Sequence, residues 1–253
     1  MYKLFINGGV PLNGSIRTSG SKNATLPIFF ASILADSPLK LSNTPQLSDV
    51  STTLRLLMDM GSSFVLEEDS SISIDSSNLK NLTAEYELVK TMRASILTLG
   101  PMLAKYKKAK ISLPGGCAIG TRPVNLHLAA LEKMGANIDV KNGYIYASTN
   151  ELVGAEINFD LISVTATENI VMAATLAKGT TVINNAAQEP EVTDLIRCLK
   201  EMGAKITGEN SSTLIIQGVD HLNGINYTIC PDRIEAGTYL VAAAITGGKI
   251  TVN

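Results

Sequence analysis

The sequence predicts an α/β protein assembled from repeated units, each a small sheet covered by two helices. Three observations lead to this fold class. An amphipathic helix pattern that ends in Met-Gly occurs three times, a strand–turn–strand pattern follows each copy, and an Ala- and Leu-rich helix with a short strand precedes each copy. Helices and strands that alternate in this order are typical of layered α/β architectures.

The repeated helix is the clearest element. Apolar residues at offsets of 0, 4, 7 and 10 lie on one helical face, and the glycine after the methionine favours the left-handed conformation that ends a helix. The Met-Gly pairs are 74 and 68 residues apart. The copies are Val50, Leu54, Leu57, Met60 and Gly61; Val124, Leu128, Leu131, Met134 and Gly135; and Val192, Ile196, Leu199, Met202 and Gly203.

The segments around each helix repeat as well. Behind the helices, SSFVLEEDSSISID, ANIDVKNGYIYAS and AKITGENSSTLIIQG each predict a hairpin, and Asn142-Gly143 is a strong turn signal in the middle copy. Ahead of them, ASILADSPLKLSN, PMLAKYKKAKISLPG and AATLAKGTTVINNA each predict a helix that runs into a short strand. One unit is therefore a leading strand, then helix, strand, helix, strand and strand.

A fourth copy begins near the end of the sequence. AAAITGGKITVN matches AATLAKGTTVIN, and the second helix and hairpin of that copy are absent. A degenerate terminal cap, as in other repeat proteins, is one interpretation. We favour the other interpretation, a truncated chain, because the sequence stops on a predicted strand and not on a polar capping element.

Composition narrows the function classes. The chain has 253 residues, a net charge of −2 and no Trp, and 5% of its residues are aromatic. This balance argues against a nucleic-acid-binding protein, which usually carries a basic surface and stacking aromatics. The apolar run 239–245 is far shorter than the roughly 20 residues that a membrane helix needs. Three sparse cysteines without metal spacing favour a reducing, cytoplasmic compartment.

The segments before the first helix of each copy carry polar or cationic residues: SGSKNA, KTMRAS, SVTATEN and CPDRIEAG. Because free N–H groups at helix N-termini favour anions, Lys22, Arg93 and Arg233 are candidates for one anion-binding cleft. Solvated surface charge and ordinary capping are the alternative for each residue alone. We expect Asp232 to cap the last helix and to form a local ion pair with Arg233, and we expect Asp49 and Glu191 to favour their helix starts through the helix dipole.

The longest loop between a strand and a repeated helix is LPGGCAIGTRPVNLH. A cysteine in a Gly-rich loop five residues before Arg122 is favourably placed for thiolate formation, so Cys117 is either a reactive residue or a small apolar filler. Cys198 and Cys230 read as structural. Neither His127 nor His221 has the spacing of a catalytic triad or a zinc site. We expect no metal and no bound cofactor.

The motifs SGSKNA, TMRAS, LPGGCAIGTRPVNLH, AAQEPEV and PDRIEAGTYL together resemble the enolpyruvyl transferase family, specifically its UDP-N-acetylglucosamine branch. The similarity runs over the whole chain. The resemblance implies a fold of two lobes, each an inside-out α/β barrel with helices packed inside. It implies that residues 22–229 form the complete Cys-bearing lobe, and that residues 1–21 and 230–253 are part of the second lobe.

The resemblance also implies an activity: transfer of the enolpyruvyl group of phosphoenolpyruvate to the 3′-hydroxyl of UDP-N-acetylglucosamine, with release of phosphate, in peptidoglycan synthesis. It implies that Cys117 is the general acid and the residue that fosfomycin alkylates, and that Lys22 and Asn23 hold phosphoenolpyruvate. The residues implied to contact the UDP-sugar are Arg93, Arg122, Pro123, Val124, Asn125, Leu126, Ser163 and Val164.

Two alternatives stay open at this point: a shikimate-type enolpyruvyl transferase, against which the Cys loop argues, and a non-catalytic lobe that binds the UDP-sugar. The sequence departs from the family pattern at Leu161, where some members carry a Lys or Pro near the nucleotide. The aspartate that the family uses near the sugar hydroxyl, and several arginines, belong to the second lobe. The sequence does not indicate an oligomeric state.

Overall fold

Three four-stranded sheets surround a central group of helices. The computed structural model describes residues 3–90, 92–113 and 124–253. In these ranges the helices are α1 (Lys22–Ala31), α2 (Ser48–Met60), α3 (Tyr86–Val89), α4 (Leu99–Tyr106), α5 (Asn125–Lys133), α6 (Val164–Ala174), α7 (Pro190–Glu201) and α8 (Arg233–Thr246). Short 3₁₀ segments cover Ser32–Leu34 and Arg93–Thr98.

The strands follow the predicted repeat. They are β1 (Asn13–Ile16), β2 (Leu39–Ser42), β3 (Ser63–Leu66), β4 (Ile72–Asp75), β5 (Thr83–Ala84), β6 (Lys108–Ser112), β7 (Asn137–Lys141), β8 (Tyr144–Ser148), β9 (Glu156–Asn158), β10 (Thr180–Asn184), β11 (Lys205–Thr207), β12 (Thr213–Gln217), β13 (Asn226–Thr228) and β14 (Lys249–Val252). All three predicted hairpins are confirmed: β3 with β4, β7 with β8, and β11 with β12.

The three four-stranded sheets share the same topology. A leading strand pairs in parallel with the strand that follows the first helix, and that strand pairs antiparallel with the hairpin. The sheet orders are β13-β2-β4-β3, β5-β6-β8-β7 and β9-β10-β12-β11. The leading strand of the first sheet, β13, comes from the far end of the chain, where Tyr227 lies opposite Leu41. The three copies therefore close into a ring.

Burial places the helices inside and the sheets outside. Every residue of α1 from Ala24 to Ala31 is buried, and so is every residue of α6 from Ala166 to Ala174. Along β2 and β12, buried and accessible residues alternate, so each sheet turns one face to the helices and the other outward. The inside-out arrangement that the resemblance implies is confirmed.

The three Met-Gly helix ends are confirmed too. Gly61, Gly135 and Gly203 have φ values of 111°, 94° and 114°, which non-glycine residues rarely adopt. Met60, Met134 and Met202 are at most 1% exposed. One difference is in the middle copy, where the first helix is broken into α3, the 3₁₀ segment and α4.

The fourth copy forms α8 and β14, as predicted. Strand β14 pairs in parallel with β1 in a separate two-stranded sheet, and Asn13 lies opposite Lys249. No residue of α8 is buried, and its side chains Leu240, Val241 and Ile245 are 56%, 60% and 79% exposed. Among the described residues, no helix combines the length and the hydropathy required to cross a membrane.

Candidate active site

The first cluster of predicted site residues lies at the start of α1. The Ser21 side chain caps the helix by accepting a hydrogen bond from the Ala24 N–H. The Lys22 ammonium lies 3.0 Å from a carboxylate oxygen of Asp49, in the first turn of α2. Both side chains are more than a third exposed, so this ion pair stabilises the fold little and leaves the ammonium accessible to an anion. Asn23 follows on the exposed side of the helix.

Asp232 joins the starts of two helices. One carboxylate oxygen accepts hydrogen bonds from the N–H groups of Ile234 and Glu235, which confirms that Asp232 caps α8. The other oxygen accepts a 3.2 Å hydrogen bond from the Lys22 N–H, at the start of α1. Free N–H groups at a helix start attract negative charge, so this single carboxylate accepts hydrogen bonds from the starts of both α1 and α8.

The expected local ion pair between Asp232 and Arg233 is wrong. The Arg233 guanidinium points to Glu191 instead and forms two hydrogen bonds of 3.0 and 3.1 Å with its carboxylate. Capping occupies both oxygens of Asp232, and the planar guanidinium matches a carboxylate in this paired geometry. The Glu191 side chain is only 3% exposed, so Arg233 neutralises a buried charge in the first turn of α7.

Predicted residues of the second copy lie before α4 and at the start of α5. Arg93 begins the 3₁₀ segment. Val124 and Leu126 are half-buried, and Asn125, the first residue of α5, is exposed. Cys117, Arg122 and Pro123 lie outside the described residues, and so does the rest of 114–123.

In the third copy, Ser163 caps α6 by accepting a 3.3 Å hydrogen bond from the Ala166 N–H. Val164 follows and is half-buried. The preceding residues Leu161 and Ile162 are 71% and 61% exposed, so these two positions bring no charge to the helix start.

The helices that contain these residues pack against one another. Helix α6 contacts α5, α4 and the 3₁₀ segment of Arg93, and α1 contacts the same 3₁₀ segment and α6. Predicted residues of all three copies therefore lie on neighbouring elements.

A buried polar network, which the sequence analysis missed, lies beneath these residues. The Asn169 Oδ1 accepts a 2.8 Å hydrogen bond from the Gly100 N–H, and its Nδ2 donates to the Ile96 carbonyl and to His127 Nδ1. His127 Nε2 lies 3.4 Å from the Thr165 hydroxyl. Burial and the nearby charge of Arg93 lower the pKa of His127 to about 4. The only available signal was the polar pair His127 and Asn169 within apolar helix patterns.

A second buried polar group lies around α7. Burial, with the charges of Glu191 and Glu189, raises the pKa of Glu168 well above its ordinary value, and one Glu168 oxygen has no hydrogen-bond partner. The Asp194 carboxylate accepts hydrogen bonds from the Tyr227 hydroxyl at 2.7 Å and the Cys230 N–H at 3.1 Å. No group of three or more His, Cys, Asp or Glu in the described ranges is arranged to hold a metal ion.

The predicted structural role of Cys198 agrees with its complete burial, which raises the pKa of its thiol. Cys230 is half-buried, and burial with the nearby Asp194 raises its pKa to about 12. Both thiols therefore stay protonated and unreactive near neutral pH.

A depression of about 640 Å³ opens beside the start of α8, lined among others by Arg17, Asn43, Gln46 and Asp232. Another, of about 710 Å³, lies on the second sheet, where Lys80, Lys108 and Lys110 contribute to its walls. Neither depression is lined by a predicted site residue, so the candidate site is defined by the helix starts and not by these two depressions.

Comparison with known proteins assigns the family. The sequence profile described as EPSP synthase (3-phosphoshikimate 1-carboxyvinyltransferase) matches residues 6–253. The chain belongs to this enolpyruvyl transferase family. Within the family, it is 72% identical over 252 residues to the UDP-N-acetylglucosamine 1-carboxyvinyltransferase of Ruthia magnifica subsp. Calyptogena magnifica, and 56% identical over 253 residues to that of Coxiella burnetii. Those matches cover 100% of this chain and 60% and 58% of the relatives.

Solved structures of the family share the fold. The enolpyruvyl transferase NikO from Streptomyces tendae superposes with a TM-score of 0.82 at 21% identity, over 93% of this chain and 56% of its own. EPSP synthase from Acinetobacter baumannii superposes with a TM-score of 0.75 at 20% identity, over 94% of this chain and 54% of its own. The predicted fold class is confirmed, and this enolpyruvyl transferase chain spans about 60% of the length of its curated relatives.

Proposed function

We propose that this chain carries the Cys-bearing half of a UDP-N-acetylglucosamine 1-carboxyvinyltransferase. The enzyme would transfer the enolpyruvyl group of phosphoenolpyruvate to the 3′-hydroxyl of UDP-N-acetylglucosamine and release phosphate. The observation that carries this proposal is the 72% identity, over the whole chain, to a relative of that name. The reaction would take place in the cytoplasm and supply peptidoglycan synthesis, on which cell shape and division depend.

Phosphoenolpyruvate fits the start of α1. Its phosphate and carboxylate are anions, and the Lys22 ammonium lies beside the first turn of that helix, within 3.0 Å of Asp49. An arriving anion would compete with Asp49 for Lys22, and the pair is exposed enough for this exchange. Asn23, exposed at the same helix start, would supply an amide donor.

The UDP-sugar would lie across the second and third copies. Arg93 and Arg122 would neutralise its diphosphate, since guanidinium groups bind phosphate oxygens in pairs. Val124 precedes α5, and Asn125 and Leu126 are its first residues. Together with Pro123, these residues would contact the nucleotide, as would Ser163 and Val164 at the start of α6. An exposed apolar Leu161 adds no charge there, so nucleotide binding would depend on the two arginines.

Cys117 would act as the general acid. Its thiol proton would pass to the methylene carbon of phosphoenolpyruvate while the sugar 3′-oxygen, losing its own proton, attacks the adjacent carbon. Loss of phosphate and of one methyl proton then restores the double bond. A phospholactoyl adduct forms when the cysteine sulfur attacks instead of the sugar, and fosfomycin would alkylate the same sulfur. Nearby cations would bring the thiol pKa towards working pH.

We further propose that residues 22–229 form this lobe and that residues 1–21 and 230–253 contribute to a second lobe. The hydrogen bonds of Asp232 to the starts of α1 and α8 lie at the junction of these segments. The exposed apolar face of α8 would then be covered within the second lobe. The enzyme's general base would also belong to that lobe.

The test is phosphate release from phosphoenolpyruvate, with UDP-N-acetylglucosamine, with shikimate 3-phosphate and with no acceptor. Any release by this chain should require the UDP-sugar, should be lost in Cys117→Ser, and should be retained in the matched control Cys230→Ser. Release with shikimate 3-phosphate alone would contradict the substrate assignment.

If no acceptor supports release, titration with UDP-N-acetylglucosamine decides between the remaining functions. Saturable binding without turnover would indicate a lobe that binds the nucleotide sugar and needs the rest of the enzyme for catalysis. Fosfomycin alkylation at Cys117, located by mass spectrometry, would still report an assembled cysteine loop. Absence of both binding and alkylation would refute the proposal.

A further inference from the structure

His127 has a single defined hydrogen-bonding state. The Gly100 N–H donates to Asn169 Oδ1, which identifies Nδ2 as the NH₂ group of that amide. This NH₂ group then donates to His127 Nδ1 over 2.9 Å, so Nδ1 is an acceptor. The proton of the neutral imidazole is therefore on Nε2, from which it points to the Thr165 hydroxyl oxygen at 3.4 Å. A doubly protonated ring would bring two donors together at Asn169.

The position of His127 is as informative as its hydrogen bonds. It lies in the first turn of α5, two residues after Asn125, and it is 2% exposed. Thr165 lies in the first turn of α6, two residues after Ser163. One side-chain contact thus joins the starts of the two helices that contain Asn125, Leu126 and Val164, three of the residues proposed for the UDP-sugar.

We propose that His127 is a positioning residue for UDP-N-acetylglucosamine. Its Nε2–H holds the first turn of α6 against the first turn of α5, so that Ser163 and Val164 face the nucleotide together with Asn125 and Leu126. This inference rests on the proposed function. Asn169 holds the opposite edge of the ring and ties it to Gly100 in α4, so the imidazole has no freedom to turn away.

The contact between His127 and Thr165 is suited to a positioning role because the neighbouring apolar side chains do not fix the relative position of the two helix starts. Val124, Leu126 and Val164 are all half-buried, and apolar contacts at a partly exposed boundary tolerate sliding. A hydrogen bond between fixed groups sets distance and direction. Loss of the Nε2 donor should therefore loosen the contact between the first turns of α5 and α6, while the buried part of α6 keeps its packing.

The test compares His127→Phe, which keeps a planar ring without donor or acceptor, with His127→Gln, whose amide can place an N–H near the Nε2 position. Affinity for UDP-N-acetylglucosamine is measured by isothermal titration, and stability by urea unfolding. We expect His127→Phe to weaken binding about tenfold, the effect of one buried hydrogen bond, and His127→Gln to recover most of the loss. Ile206→Ala, a core truncation in β11 away from the network, is the control for lowered stability.

The outcomes separate the two proposals. Absence of UDP-sugar binding in the unaltered chain overturns this inference, and absence of fosfomycin alkylation as well overturns the proposed function. Binding by the unaltered chain and equally tight binding by His127→Phe overturns the inference alone. An equal loss in Ile206→Ala also overturns it, because the effect would then be one of stability. If His127→Phe does not fold, Thr165→Val removes the acceptor at a half-buried site, and unchanged affinity there overturns the inference.

Discussion

Acid should destabilise this protein through His127, and the structure gives the size of the effect. The His127 pKa falls from 6.5 to about 4 in the folded chain, because the ring is buried and Arg93 is near. Unfolded chains bind a proton below pH 6.5 and the folded chain does not, so stability is lost as the pH falls from 6.5 to 4. At about 1.36 kcal/mol per pKa unit, the full loss is about 3 kcal/mol.

Urea unfolding followed by far-ultraviolet circular dichroism measures this loss, since the sequence has no Trp to report by fluorescence. The unaltered chain and His127→Gln are compared at pH 7.5 and pH 4.5. We expect the stability difference between them to shift by about 2–3 kcal/mol in favour of the variant at the lower pH. Other titrating groups act on both chains alike and cancel. A difference that changes by less than about 0.5 kcal/mol would refute the assignment of a buried neutral histidine.

Two further predictions concern neighbouring buried groups. Gly100→Ala should lower stability by about 1–3 kcal/mol in urea unfolding, because the new Cβ would lie 2.5 Å from Asn169 Oδ1 and closer still to the Asn169 carbonyl oxygen; unchanged stability would contradict the tight α4–α6 contact. Glu168→Gln should stabilise the protein at pH 8, and the gain should shrink towards pH 4, because the raised pKa keeps the folded Glu168 protonated while the unfolded chain ionises; a gain that does not depend on pH would contradict this.

The repeat was predictable because its signals are local. Leu57, Leu131 and Leu199 follow helical periodicity, and the Met-Gly ends report a left-handed backbone that few residues other than glycine adopt. The hairpins were predictable from the strand–turn–strand pattern and, in the middle copy, from the turn residues Asn142 and Gly143. The ring closure through β13 was not visible in the same way, since the Tyr227 and Leu41 strands pair across most of the chain and their sequences carry no mark of that partner.

The positions of the proposed site residues were predictable only where a motif marked a helix start. The segments around Lys22 and Ser163 predict helix starts, and the structure places Lys22 in the first turn of α1 and Ser163 at the cap of α6. The ion-pair partner of Arg233 could not be predicted from the sequence. Arg233 follows Asp232 directly, yet it pairs with Glu191. Adjacent side chains leave the backbone in different directions, and the carboxylate of Asp232 is already used by helix N–H groups.

Polar groups in the core of this protein fix the register between packed helices, which its apolar contacts do not specify. Helices α4 and α6 meet through small residues, Gly100 and Ala173, whose smooth surfaces permit close approach but do not specify register. Asn169 supplies the register by bonding the Gly100 N–H, and it extends the constraint to α5 through His127. A slip of one residue along α6 would leave these buried groups unpaired, at about 1–3 kcal/mol for each. These hydrogen bonds therefore fix the axial positions of α4, α5 and α6 relative to one another, and with them the relative positions of the helix starts.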